Sequence, residues 1–171
     1  MNGINIIGGL MSKVALLVVD MQKNCKESTS CKESFENAIE YINEVSEHFR
    51  NKKLPVIIIR DVEAGGPGTE GFDCVDELVI SDNDYYVNKT FNNAFWQTDL
   101  DTILKNEGVD CVVVSGFAVE HCVLFTYNGA IERGYNAFLL QKGVAGFDDE
   151  EIKRIQLRRS VICYEALEYF L

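Results

Sequence analysis

Three residues of this 171-residue chain combine a reactive type with a suggestive position. Asp20 closes the apolar run VALLVVD, where a carboxylate is costly to bury unless a partner or water meets it at the strand end. Taken alone, it reads as a cap for the following loop. Cys122 lies six residues past the run VVVSG, in the first turn of a helix that starts around Val119. Free N–H groups and positive potential at a helix N-terminus favour the nucleophilic thiolate. The common fate of a free cysteine is burial as a small apolar side chain, which suits Cys111 and Cys163, within or beside apolar strands, better than Cys122. Lys89 stands between DYYVN and TFNNAF, a cation among aromatics and amides, and its default reading is a solvated lysine. His121 adjoins Cys122 but points about 100° away from it on a helix, so a surface or capping role suits it better than a Cys-His dyad.

The elements that would position these residues follow from the apolar pattern. The runs VALLVVD (14 to 20), LPVIIIR (54 to 60), DCVVVSG (110 to 116) and NAFLLQ (136 to 141) are short, largely β-branched and closed by polar residues or glycine. Such strands are covered on both faces, as in a parallel sheet. Helical spacing appears between them, at Phe35, Ala38, Ile39, Ile42, Val45 and Phe49, and again at Val119, Val123, Tyr127, Ala130 and Ile131 before Gly134. Asp148 to Arg159 opens with acids and ends on two arginines, matching the helix dipole. Alternating strands and helices argue a doubly wound α/β sheet with helices on both faces. In such sheets ligands bind beyond the carboxyl ends of the strands, where strand order reverses, and Asp20 would sit there. Residues 61 to 88, rich in glycine and acids, read as a long loop over the sheet edge, of the kind that often carries function.

Composition narrows the partners. The length and the 47% of apolar residues suit one domain spanning 1 to 171, with a core from about residue 13 and residues 1 to 12 as an N-terminal extension. Sixteen basic against 27 acidic residues leave a formal charge of −11, which disfavours nucleic acid and anionic membrane surfaces. No apolar run approaches the roughly 20 residues of a membrane span and no signal peptide is apparent, so a cytoplasmic location is expected. Six cysteines (25, 31, 74, 111, 122 and 163) without a CxxC pair read as free thiols. Two histidines, with no HExxH, DxH or paired Cys/His spacing, make a metal centre unexpected, and no cofactor motif such as GxGxxG follows a strand.

Four segments resemble, in order, the signatures of the isochorismatase-like cysteine hydrolases: LLVVDMQ (16 to 22), PGTEGFD (67 to 73), NKTFNNAFWQTDLDTIL (88 to 104) and VVVSGFAVEHCVLFTYNGAIERGY (112 to 135). The resemblance implies a six-stranded parallel sheet of order 3-2-1-4-5-6 and a catalytic triad of Asp20, Lys89 and Cys122. It implies general-base action by Asp20, a thioester on Cys122, an oxyanion hole from the backbone N–H groups of Ala118 and Cys122, and a cis peptide between Phe117 and Ala118. It further implies a small-molecule substrate and a homo-oligomer, dimer or tetramer. Departures limit the substrate. The D-x-H metal motif of the nicotinamidase branch is replaced by IIIRDVEAGG, and Cys25 stands where many relatives carry an aromatic pocket residue. Phe91, Phe95 and Trp96 remain as candidates for the pocket wall, with core packing as their alternative. The retained cysteine points to cleavage of a small carboxamide, ureide or carbamoyl compound. The alternatives are vinyl ether hydrolysis, which tolerates loss of the thiol, and a non-catalytic thiol-sensing or interaction protein on the same fold.

Overall fold

The computed structural model describes residues 13 to 171, so the expected extension over residues 1 to 12 lies outside the described residues. Six strands form one parallel sheet: β1 (Lys13–Val19), β2 (Val56–Asp61), β3 (Tyr85–Lys89), β4 (Val109–Gly116), β5 (Asn136–Val144) and β6 (Val161–Ile162), in the order β3-β2-β1-β4-β5-β6. β1 lies at the centre, paired with β2 through Leu16–Val56 to Val19–Ile59 and with β4 through Val14–Cys111 to Val19–Gly116. Its alternate residues divide between two cores. Ala15, Leu17 and Val19 pack with Leu100 and Leu104 of α3 (Leu100–Asn106), Tyr127 and Ala130 of α4 (Leu124–Glu132) and Ile152 of α5 (Asp149–Arg158). Val14, Leu16 and Val18 pack with α2 (Lys32–Asn51) and with Leu167 of α6 (Tyr164–Phe170). This is the period-two alternation of a strand covered on both faces. The remaining helix, α1 (Lys23–Ser28), follows β1 directly. Among the described residues, no helix is long and apolar enough to cross a membrane.

The expected helices form, although Ile131, expected on the apolar face of α4, is 49% exposed. α2 buries Phe35, Ala38, Ile39, Ile42, Val45 and Phe49 on one stripe, and Asp148 caps α5 by accepting the Glu150 N–H at 2.8 Å. Two elements depart from the sequence reading. The segment 61 to 88 is not loop throughout: a short 3₁₀ turn forms at Glu70–Phe72, and the chain then joins the sheet edge as β3. The helix after β4 opens as a π turn at Val119–Val123, because the Ala118 carbonyl accepts from Val123 five residues on, at 3.1 Å, as well as from His121 at 2.9 Å.

The ends of β1 and β4 are packed tightly enough to dictate residue type. Gly116 has φ of 107°, and a Cβ there would lie 2.0 Å from the Val19 carbonyl oxygen, so only glycine fits. Phe117 N–H donates to that same carbonyl at 2.9 Å, and Asp20 N–H donates to the Ile59 carbonyl at 2.9 Å. These bonds bring the residues just beyond β1, β2 and β4 to one edge of the sheet.

Candidate functional site

Asp20, Lys89 and Cys122 converge at the carboxyl edge, each delivered by a different strand end. Asp20 follows β1 with φ of 51°, a left-handed conformation that aspartate tolerates better than most residues, and it is 2% exposed. Lys89 is the last residue of β3, and its side chain is wholly buried. Its Nζ lies 2.8 Å from Asp20 Oδ2 and 2.7 Å from Asp61 Oδ2, and donates to Cys122 Sγ at 3.3 Å. The three donors of the ammonium are therefore matched by three acceptors. Asp20 Oδ1 is different: among the described residues this buried oxygen has no hydrogen-bond partner.

The electrostatics follow from burial first. Desolvation raises the Asp20 carboxyl to about 6, against the opposing pull of Lys89. Desolvation also raises the Cys122 thiol, and the negative charge of Asp20 adds to it, with Lys89 offsetting only part. The sequence reading placed Cys122 at a helix N-terminus and expected a lowered thiol; burial beside a carboxylate reverses that direction. Burial disfavours the Lys89 ammonium too, but Asp20, Cys122 and Asp61 outweigh it and hold the lysine above its ordinary range. The resting site is thus a neutral thiol beside a carboxylate whose proton affinity has been lifted toward neutrality.

A cavity of about 270 Å³ opens onto these groups, lined by Asp20, Asp61, Asn92, Phe117, Ala118 and Cys122 among others. The Phe117–Ala118 peptide is cis. Cys25, on α1, lines the cavity as a small side chain and its thiol is pushed up to about 12, chiefly by burial. The three proposed wall aromatics do not line it. Phe95 is 4% exposed and packs in the core stacked on Tyr135, whereas Phe91 and Trp96 are 46% and 53% exposed and turn outward. Phe147 and Phe117 supply the aromatic wall instead, with ring centroids 4.8 Å apart, and the His121 ring packs against Phe147.

Asp61, Asn92 and Phe147 were not singled out from the sequence. Asp61 closes β2 as Asp20 follows β1, and that shared strand-end position was a usable signal. It is fixed by Gln22, a fully buried residue whose Oε1 accepts the Asp61 N–H at 2.7 Å and whose Nε2 donates to the Asp61 and Phe72 carbonyls at 3.1 and 3.0 Å. Asn92 Oδ1 lies 3.5 Å from Cys122 Sγ. Its segment is clamped by α4, where Thr126 Oγ1 accepts the Ala94 N–H at 3.0 Å and donates to the Asn92 carbonyl at 3.4 Å. Phe147 follows β5, with its N–H on Glu120 at 2.7 Å, and carries no local sequence signal.

One atom each of Asp20, Asp61 and Cys122 lies within 4.8 Å of the others, a spacing that could hold a metal ion. The Lys89 ammonium, at 2.7 to 3.3 Å from all three residues, already fills the position a cation would take there. Glu63, two residues past Asp61, offers a carboxylate but no imidazole.

Comparison with known proteins agrees with this fold. The family model described as the isochorismatase domain matches residues 14–164. The isochorismatase family protein YaaI of Bacillus subtilis is 30% identical over 157 residues, covering 82% of this chain and 86% of its own. Among solved structures, N-carbamoylsarcosine amidase from Thermoplasma acidophilum superposes with a TM-score of 0.77 at 28% identity, over 85% of this chain and 91% of that one. The pyrazinamidase of Pyrococcus horikoshii, in complex with zinc, gives 0.74 at 26%, over 88% and 98%.

Proposed function

The chain belongs to the isochorismatase family of hydrolases, and from that premise we propose that it cleaves a small carboxamide, ureide or carbamoyl compound through a thioester on Cys122. The observation that carries this reading is the unpartnered Asp20 Oδ1, buried beside the Cys122 thiol with its carboxyl raised to about 6. A carboxylate so placed has an open lone pair for the Sγ proton and a proton affinity suited to general-base catalysis near neutral pH. Asp20 takes that proton as Sγ attacks the acyl carbon. Lys89 stays charged throughout and balances the negative charge passed between Asp20 and Cys122. The N–H groups of Ala118 and Cys122 serve the tetrahedral oxyanion. Asp20 then returns its proton to the leaving amine, and a water activated by the same carboxylate hydrolyses the thioester.

The mechanism asks for no metal, because Lys89 supplies the positive charge among Asp20, Asp61 and Cys122. Support for acyl chemistry also comes from the likeness to an amidase structure. A panel of small carboxamides, ureides and carbamoyl compounds assayed for ammonia release, with and without a chelator, tests the proposal. Turnover that persists with EDTA and vanishes in Cys122→Ala is expected. Turnover that survives Cys122→Ala would move the chemistry to another class, such as ether hydrolysis.

A further inference from the structure

We infer that this pocket selects its substrate by charge, accepting neutral or cationic acyl compounds that carry N–H donors and rejecting carboxylates, with Asp61 as the specificity-determining residue. The inference rests on the amide-hydrolase reading for what is cleaved, and on the lining of the cavity for which molecules enter.

Among the described residues, the lining holds three carboxylate residues, Asp20, Asp61 and Glu63, and neither lysine nor arginine. Lys89, the cation nearest the cavity, has no exposed surface, and its Nζ is committed to Asp20, Asp61 and Cys122. It cannot turn to meet a substrate carboxylate without stripping a partner from a buried charge. His121 also lines the cavity, exposed, with its ring against Phe147 at a centroid distance of 6.0 Å.

Asp61 is both within reach of a ligand and held in place, whereas Glu63 is exposed and Asp20 is almost wholly buried. The Asp61 side chain keeps 16% of its surface exposed, where that of Asp20 keeps 3%. Oδ1 accepts the Glu63 N–H at 2.8 Å and Oδ2 accepts from Lys89 at 2.7 Å. Each carboxylate oxygen has a second lone pair, so both can still receive a substrate N–H. An anionic substrate would instead lose its hydration beside like charges with no counterion to replace it. The formal charge of −11 on the whole chain acts in the same direction at longer range. At about 270 Å³ the cavity falls at the small end of ligand sites, so a compact substrate that reaches Cys122 also lies close to Asp61.

The test labels Cys122 with two reagents of matched reactivity and opposite charge, 2-aminoethyl and 2-sulfonatoethyl methanethiosulfonate. Each rate is read by peptide mass at Cys122 and divided by the rate on neutral N-acetylcysteamine. The cationic reagent should lead by about tenfold or more, the bias falling about tenfold in Asp61→Asn and less in Glu63→Gln. A ratio near one, or in favour of the anion, overturns the inference. If Asp61→Asn does not fold, the native ratio and Glu63→Gln still decide. Ammonia release from valeramide, 4-aminobutanamide and succinamate then separates the two claims. Slow cleavage of succinamate alone supports both. No turnover on these amides or on any ureide or carbamoyl compound of the panel, with the labelling bias intact, removes the amide-hydrolase reading and leaves charge selection standing. A Cys122 that neither reagent labels overturns both.

Discussion

Strand β3 has a buried ion pair at each end, and the two are built to different rules. At its amino end Asp84 meets Arg50 through two bonds, Nε to Oδ1 at 3.0 Å and Nη2 to Oδ2 at 2.7 Å, while the Ser81 N–H donates to Oδ2 at 2.9 Å. Both oxygens are satisfied, and the side chain of Asp84 is 2% exposed. This pair ties the end of α2 to the start of β3. At the carboxyl end Lys89 holds Asp20 by one oxygen and leaves the other open. Burial is nearly equal in the two aspartates, so burial alone does not mark a reactive carboxylate. What distinguishes Asp20 is an unfilled acceptor beside a thiol, together with a cation shared among three partners.

The comparison can be broken most sharply at Cys122. Cys122→Ala should lower kcat/KM by about 10⁴-fold or more if the sulfur is the proposed nucleophile, while the thermal midpoint falls only modestly, because alanine removes one small group that packs against the core and accepts from Lys89. Lys89→Met comes next and should damage both properties. It leaves Asp20 and Asp61 buried without their cation, at about 3 to 5 kcal/mol of stability, and turnover in the folded fraction should fall by about 10² or more. Arg50→Met at the other end should cost about 3 kcal/mol in denaturant unfolding, yet leave kcat/KM of the folded protein within about twofold.

Acidity sharpens the contrast further. In the proposed mechanism Asp20 is ionised to accept the thiol proton, so kcat/KM should be level above neutrality and fall about tenfold per pH unit below about 6. Stability should respond to pH as well. A carboxyl raised from 3.8 to about 6 by folding stabilises the native state fully below its unfolded value and loses that contribution as pH rises through the folded one. Relative to Asp20→Asn, the native chain should therefore lose stability between about pH 4 and 6, which unfolding curves at several pH values would read.

How much of this was legible in the sequence depended on how strongly each residue's surroundings marked it. β1, β2, β4 and β5 were plain because both faces are buried and the runs are continuous. β3 escaped because an edge strand alternates: Tyr85, Tyr86 and Asn88 are exposed while Val87 and Lys89 are buried. β6 is two residues long and leaves no periodic trace. Resemblance supplied Asp20, Lys89 and Cys122, which the folded chain brings together. The wall aromatics failed because Phe91, Phe95 and Trp96 follow Lys89 closely in sequence but diverge in space, two outward and one into the core. The thiol was misjudged because a helix N-terminus is local and visible, whereas the desolvation that outweighs it depends on the surrounding fold.

Cys122 is proposed to form a covalent bond with the acyl group, and intact-protein mass measured on acid-quenched reactions tests this directly. With a turned-over amide the protein should gain the mass of the acyl group during the steady state. The adduct should map to the Cys122 peptide, be removed by hydroxylamine, and accumulate when thioester hydrolysis is slowed. Turnover at an undiminished rate with no such adduct, or with the adduct on Cys25, would contradict the account.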